Sequence, residues 1–293
     1  MNSKSKRALT RRDFLKLMKF TGLEVALMAF GGGIYMKAYE PTWLEVVEVN
    51  LKLPRLPRSF SGMRVLQLSD LHYGGWMTSE RLEGFLDVAV SLSPDLVVIT
   101  GDFVMKYSFD PEYSNDLDEL ALALQKLTSA FPTAGVFGNH DHWLGQMAML
   151  DLLQKAGVTD LNNGVYPLKN GSETLYLAGV DSALKRRDRL GMVLAQLPAD
   201  GCALLLAHEP DYADTSASYG RFDLQLSGHS HGGQFVMPFV GPLVLPPLGR
   251  KYAQGLYRVR DMLQYTNRGL GMVRPYVRFN CRPEMTLFTL EAS

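Results

Sequence analysis

Short apolar runs rich in β-branched residues recur along the chain, and each ends in a polar turn. They lie at residues 64–68, 96–100, 133–137, 203–206 and 222–226. Their length and near-continuous hydrophobicity predict strands buried on both faces of a sheet. Helical periodicity fills the gaps. Thr78 and Ser79 offer an N-cap to a helix whose apolar face is Leu82, Phe85, Leu86 and Ala89. A second helix carries the stripe Leu117, Leu120, Ala121, Leu124 and Leu127. Its early acids (Asp116, Asp118, Glu119) and late Lys126 complement the helix dipole. Further helices are expected over 147–155, ended by Gly157, and over 190–197. Strand–helix–strand succession predicts an α/β fold with right-handed crossovers. Residues 43–53 alternate as a strand closed by Pro54 and Pro57, which suits a sheet edge. Turn signals at 162–164 and 169–171 frame short strands, of which 175–180 is the clearest, and 252–257, 263–267 and 282–290 read as closing antiparallel strands.

The polar residues just past these strands turn the picture from architecture to chemistry. Asp70 and His72 stand just past the first run, Asp102 past the second, and Gly138-Asn139-His140-Asp141-His142 past the third. His208 comes after the fourth, and Gly228-His229-Ser230-His231 after the fifth. The chain has six histidines, and all six lie in these segments. Histidine used as filler would be scattered, so the clustering marks a site at the carboxyl edge of a sheet, where open α/β folds place theirs. A mixed Asp, Asn and His donor set suits Mn, Fe or Zn better than Ca or Mg. The donors are too many for one ion, which points to two divalent metal ions sharing a carboxylate.

In this order the blocks resemble the calcineurin-like binuclear metallophosphoesterase family over roughly residues 63–290. The resemblance implies that family's four-layer α/β/β/α sandwich, with ligands at strand C-termini. It also implies that Asp70, His72 and His231 hold a first metal, that Asn139, His208 and His229 hold a second, and that Asp102 bridges them. His140 would face the substrate phosphate and act in catalysis, with Asp141 orienting it. A hydroxide between the metals would attack phosphorus. His142 has no place in the family pattern and is expected at the rim, either exposed or touching substrate. Residues 267–271 and 278–284 resemble the branch holding twin-arginine-exported bacterial phosphodiesterases and the UDP-2,3-diacylglucosamine pyrophosphatases of lipid A synthesis. A phosphomonoesterase or protein phosphatase, or a metal-free scaffold, are the competing readings. A scaffold is expected to have lost ligands, and none is lost here.

Charge and hydropathy add location. Net charge is zero, yet Lys4, Lys6, Arg7, Arg11, Arg12, Lys16 and Lys19 face only Asp13 at the start of the chain. Thr10-Arg11-Arg12-Asp13-Phe14-Leu15-Lys16 resembles the twin-arginine export signal, and a moderately apolar stretch comes after it at 25–36. That stretch is interrupted by glycines 31–33 and is short of the roughly 20 residues a spanning helix needs. Residues 1–40 are therefore expected to be a twin-arginine signal or an N-terminal membrane anchor, and 41–293 the metallophosphoesterase domain. Partners would be the twin-arginine translocase, a membrane surface and a phosphoester substrate. The location would be the periplasm or cell envelope, or else the cytoplasmic face of the inner membrane. No long basic stripe crosses the body, which argues against nucleic acid.

Three stretches stay ambiguous. Residues 234–248 are almost wholly apolar, but their prolines and glycine forbid a helix and most ladder pairing. They either pack on the sheet or, through Phe239 and Leu243, bind an apolar part of the substrate. Lys185-Arg186-Arg187 is a solvated loop or a patch for an anionic substrate. Cys202 and Cys281 match no metal spacing, and the sequence allows either a pair or two buried thiols.

Overall fold

A computed structural model describes residues 30–105 and 117–293. The first half of the chain lays down strands β1 (Glu45–Leu53), β2 (Arg64–Leu68), β3 (Leu96–Ile99), β4 (Thr133–Gly135) and β5 (Thr159–Asp160). The second lays down β6 (Gly164–Asn170), β7 (Glu173–Gly179), β8 (Ala203–Leu206), β9 (Leu224–Ser227), the two-residue β10 (Val236–Met237) and β11 (Gly241–Pro242), then β12 (Gly255–Val259), β13 (Met262–Thr266) and β14 (Glu284–Ala292). One six-stranded sheet runs β1-β14-β2-β3-β4-β5 and the other β12-β13-β9-β8-β7-β6.

The two sheets face each other. Val65, Val98, Val136 and Phe288 from the first meet Leu177, Leu204, Leu206 and Leu226 from the second in one apolar layer. The opposite face of the first sheet (Leu66, Leu68, Val97, Ile99) is covered by α1 (Ser79–Ser91), α2 (Leu117–Thr128) and, beyond the short α3 (Asp141–Leu144), α4 (Gln146–Ala156). The outer face of the second (Ala203, Leu205) is covered by α5 (Leu190–Gln196) and α6 (Ala213–Ser216). This is the α/β/β/α sandwich. It explains why the site-bearing strands read as continuous apolar runs: β2, β3, β8 and β9 have a buried layer on each side.

Local signals act as expected. Thr78 caps α1, its Oγ1 accepting the Arg81 N–H. Gly157 ends α4 in the left-handed conformation, φ 72°. The closing strands differ from expectation. β12 and β13 form an antiparallel hairpin, but β13 joins β9 in parallel. β14 enters the first sheet between β1, to which it is parallel, and β2, to which it is antiparallel.

Contacts cross the expected boundary at residue 40. The twin-arginine stretch at residues 10–16 lies outside the described residues, but Glu40, expected to end a segment outside the domain, is buried. Its carboxylate accepts the Cys281 N–H, and the Met36 carbonyl accepts the Arg278 N–H. Residues 36–44 are thus tied to the 278–282 segment, with Arg282 stacked over Trp43. Among the described residues no helix is long and apolar enough to cross a membrane.

Cys202 and Cys281 are free and buried. Burial pushes both thiols above the ordinary cysteine range, further for Cys202, where the Asp223 carboxylate adds to it. A thiol-reactive disulfide reagent is expected to titrate neither in the native protein and both after unfolding. Rapid native reaction of one would contradict its burial.

Candidate metal centre

Every strand that was expected to deliver a site residue does so at its carboxyl end, and the two sheets bring five such ends together. The turns are tight. Asp70, His72, Asp102, His229 and His231 all have positive φ, between 49° and 67°. Such backbone is strained for residues with a Cβ, by roughly 1 kcal/mol or more each, and persists where the surroundings over-determine it. Here the turns hold one another. The Asp70 N–H donates to Gly101, His72 to Asp102, and Gly228 to His208. Two glycines permit this approach. A Cβ on Gly138 would lie 2.2 Å from Asp102 Oδ1, and one on Gly228 would lie 1.8 Å from Ser69 Oγ. No side chain fits at either position.

The donors fall into overlapping groups. Asp70, His72 and His231 form one and Asp102, His208 and His229 another, with His72, Asp102 and His140 between them. In the first, His231 Nε2 is 3.3 Å from Asp70 Oδ1 and 3.0 Å from His72 Nε2. Asp102 Oδ2 stands 3.6 Å from His72 Nε2 and 3.2 Å from His208 Nε2, which places it between the groups. Asn139 is buried, and its Oδ1 has no hydrogen-bond partner.

The donors fit cations. The His208 Nδ1–H donates to the Thr100 carbonyl at 2.7 Å, so in the neutral ring Nε2 is the atom left to bind a cation. In that neutral form the Nε2 atom lies 3.2 Å from Asp102 Oδ2. His229 Nε2 donates to the Pro247 carbonyl at 2.9 Å, which leaves Nδ1 as its free donor atom. Burial holds His72, His140 and His231 below the ordinary histidine range, hence neutral, and the Arg278 charge adds to this at His231. Burial works against ionisation of Asp102, but His208 and His140 outweigh it and leave the carboxyl well below its usual range. Burial likewise disfavours a charged His208, and Asp102 reverses that, raising it well above the ordinary value. Without a cation, a proton would have to take its place between those two groups. Buried lone pairs and carboxylate oxygens converging at 3.0–3.6 Å, together with the orphaned Asn139 oxygen, make a donor set able to hold divalent metal ions.

The remaining expected residues divide. His140 lines the cavity above the metal donors, its ring edge-on to His72 at 4.7 Å and to Trp143 at 4.3 Å. Asp141 is buried beneath it and accepts the backbone N–H groups of Asp102, Gly138 and Val104, so its grip is on the Asp102 turn. His142, expected at the rim or on substrate, instead pairs with Asp181 at 2.6 Å and does not line the cavity. Of the two apolar residues expected beside substrate, Leu243 lines the cavity and Phe239 does not. A positive φ of 65° turns Phe239 out at the tip of the β10–β11 hairpin, fully exposed.

The cavity has a volume of about 570 Å³. Its floor is polar (Asp102, Asn139, His140, His229, His231) and its wall is largely apolar (Phe235, Leu243, Val244, Pro247, Val273, Val277). Sequence reasoning missed Trp143, Leu184 and Arg274, which also line it. Trp143 had a signal, since it directly succeeds the Gly138–His142 block. Arg274 had none, because residue 274 meets the site only through the fold.

The sequence compares as the geometry suggests. The chain is 35% identical over 289 residues to the uncharacterized metallophosphoesterase YkuE of Bacillus subtilis, covering 97% of this chain and 99% of that protein. It is 29% identical over 286 residues to the phosphodiesterase YaeI of Escherichia coli, covering 96% and 99%. An uncharacterized metallophosphoesterase of Aquifex aeolicus is 30% identical over 265 residues, covering 86% of this chain and 94% of its own. The model of the calcineurin-like phosphoesterase family matches residues 63–233, the span that carries every candidate metal donor. This protein belongs to the calcineurin-like phosphoesterase family.

Proposed function

We propose that this protein is a binuclear metal-dependent hydrolase of a phosphodiester or pyrophosphate bond, acting on a lipid-linked substrate at a membrane surface. Asp70, His72 and His231 would hold one cation, Asn139, His208 and His229 the other, and Asp102 both. When bound, the two ions supply Lewis-acid activation of water and neutralise charge on the phosphoryl group. His140, a neutral imidazole lining the same cavity, would donate a hydrogen bond to a phosphoryl oxygen as charge builds there. Asp141 keeps the Asp102 turn in place.

The lipid part rests on one observation: the apolar wall of the cavity continues onto an exposed apolar surface. Leu243 and Val244 line the cavity and are more than half exposed, and Phe239 and Val240 extend the same hairpin into solvent. Residues 274–279 anchor that hairpin through the bond from Val236 N–H to Phe279, and hold the amino-terminal segment through Arg278 and Met36. That segment exposes Phe30, Ile34 and Tyr39 and continues into the basic, twin-arginine-like residues 1–29. We read those residues as the export signal and anchor that bring the cavity mouth to the membrane. Each acyl CH₂ buried along the wall contributes up to about 0.8 kcal/mol.

Metal-loaded protein should hydrolyse bis-p-nitrophenyl phosphate faster than p-nitrophenyl phosphate, and UDP-2,3-diacylglucosamine faster than its deacylated form. Leu243→Ser should remove the acyl preference. Phe239→Ser, outside the cavity, should slow turnover only of substrate presented in vesicles. Equal losses on lipid and soluble substrates would sink the lipid reading. Faster cleavage of the monoester would favour a phosphomonoesterase.

A further inference from the structure

Among the basic residues 185–187, Arg186 and Arg187 are exposed, whereas Lys185 is half-buried against the site. Its Nζ sits 4.4 Å over the ring of Trp143, whose edge meets His140 at 4.3 Å. Trp143 and Leu184, the residue before Lys185, both line the cavity. Among the described residues no carboxylate pairs with the Lys185 ammonium. Its charge is held by an aromatic face, an attraction that leaves three N–H donors unspent.

The loop that carries Lys185 is fixed more firmly than a solvated loop needs. Glu209, buried and adjacent to His208, accepts the Ser182 hydroxyl and the backbone N–H groups of Ala183 and Leu184. Ser182 Oγ in turn accepts the Lys185 N–H at 3.3 Å. Asp181 ties the same loop to His142 and takes the Ser182 N–H. The loop is therefore braced against two metal-bearing segments, 139–142 and 208–209. Burying the Glu209 carboxylate is costly unless all these donors are supplied, so the arrangement fixes where Lys185 lies relative to His140.

We propose that Lys185, seated on Trp143, is the subsite for a second phosphate, and that it tunes this site to diphosphate diesters over simple phosphodiesters. The inference rests on the phosphoesterase reading of the metal centre. In diphosphate hydrolysis the oxygen of water bonds to one phosphorus and the bridging P–O bond to that phosphorus breaks. The other phosphate leaves with the bridging oxygen, both products are phosphate monoesters, and the protons of water pass to the products or solvent. Negative charge grows on the departing phosphate, beyond the ions that neutralise the attacked one. A cation held over Trp143, whose ring adjoins His140, would meet that charge. Lysine suits the task as a compact charge with rotatable donors.

The test uses the metal-loaded full chain with UDP-N-acetylglucosamine, a soluble diphosphate diester, and bis-p-nitrophenyl phosphate, which has one phosphate. Removing a charge-assisted hydrogen bond from the transition state corresponds to about ten- to a hundredfold in rate. Lys185→Gln should therefore lower kcat/KM for the diphosphate at least about tenfold more than for bis-p-nitrophenyl phosphate. Lys185→Arg, which keeps the charge and stacks on indole, should recover most of the difference. Equal effects on both substrates, or none, would overturn the subsite, as would a parent enzyme that cleaves the phosphodiester but no diphosphate. A parent that cleaves neither with metal bound would instead overturn the proposed function on which the subsite depends.

Discussion

Asp102→Ala is expected to lose metal at both positions and, with it, all measurable phosphoester hydrolysis. Asp102 lies between the two donor groups, its Oδ2 3.6 Å from His72 Nε2 and 3.2 Å from His208 Nε2. Its Oδ1 accepts the His140 N–H at 2.8 Å, so the same carboxylate also sets the loop that carries His140. Loss of residues that merely orient ligands typically weakens metal sites about 10–100-fold, and a shared ligand should cost more. Asn139→Ala removes a donor from one side only and should keep the other ion. Elemental analysis after loading with Mn or Zn and dialysis separates the two variants. Two equivalents retained by Asp102→Ala would exclude a bridging role.

His140→Ala should give the opposite pattern, with metal content near that of the parent and turnover lower by about 10²–10⁴-fold. The hydrogen bond from residue 140 to Asp102 is made by the main chain and survives the change. The substitution takes away the ring at the cavity floor between His72 and Trp143. Metal content and phosphodiester turnover measured on one preparation decide the matter. Near-normal turnover would remove His140 from the chemistry.

The site was legible in the sequence because its donors come directly after strands that are themselves easy to read. β2, β3, β8 and β9 are buried on both faces, so composition alone marks them, and each donor sits within a few residues of a strand end. Pairing between distant segments left no such trace. The strand-forming pattern of β14 is the same whether its neighbours run parallel or antiparallel, so its place between β1 and β2 could not be read from it. Glu40 looks like the polar end of a leader, but it is buried and its carboxylate accepts the N–H of Cys281, 241 residues away. His142 belongs by sequence to the metal block and by structure to Asp181. Phe239 is apolar and near the ligands in sequence, yet a single left-handed turn residue sends it to solvent. In each case the deciding contact is non-local, whereas hydrophobic periodicity reports only on the residue's own element.

The insertion of β14 also sets an order of assembly. β2 carries Asp70 and His72 on the loop beyond it, yet one of its flanks is closed by a strand made after every candidate donor. Until then β1 has no sheet neighbour among the described strands, because β14 is its partner there. Gly269 and Gly271, which back onto the Asp70 turn, are likewise made after the last candidate donor, His231. Nascent chains that stop short of residue 284 therefore hold Asp70 and His72 beyond an unfinished sheet edge, and completion of the centre waits for β14.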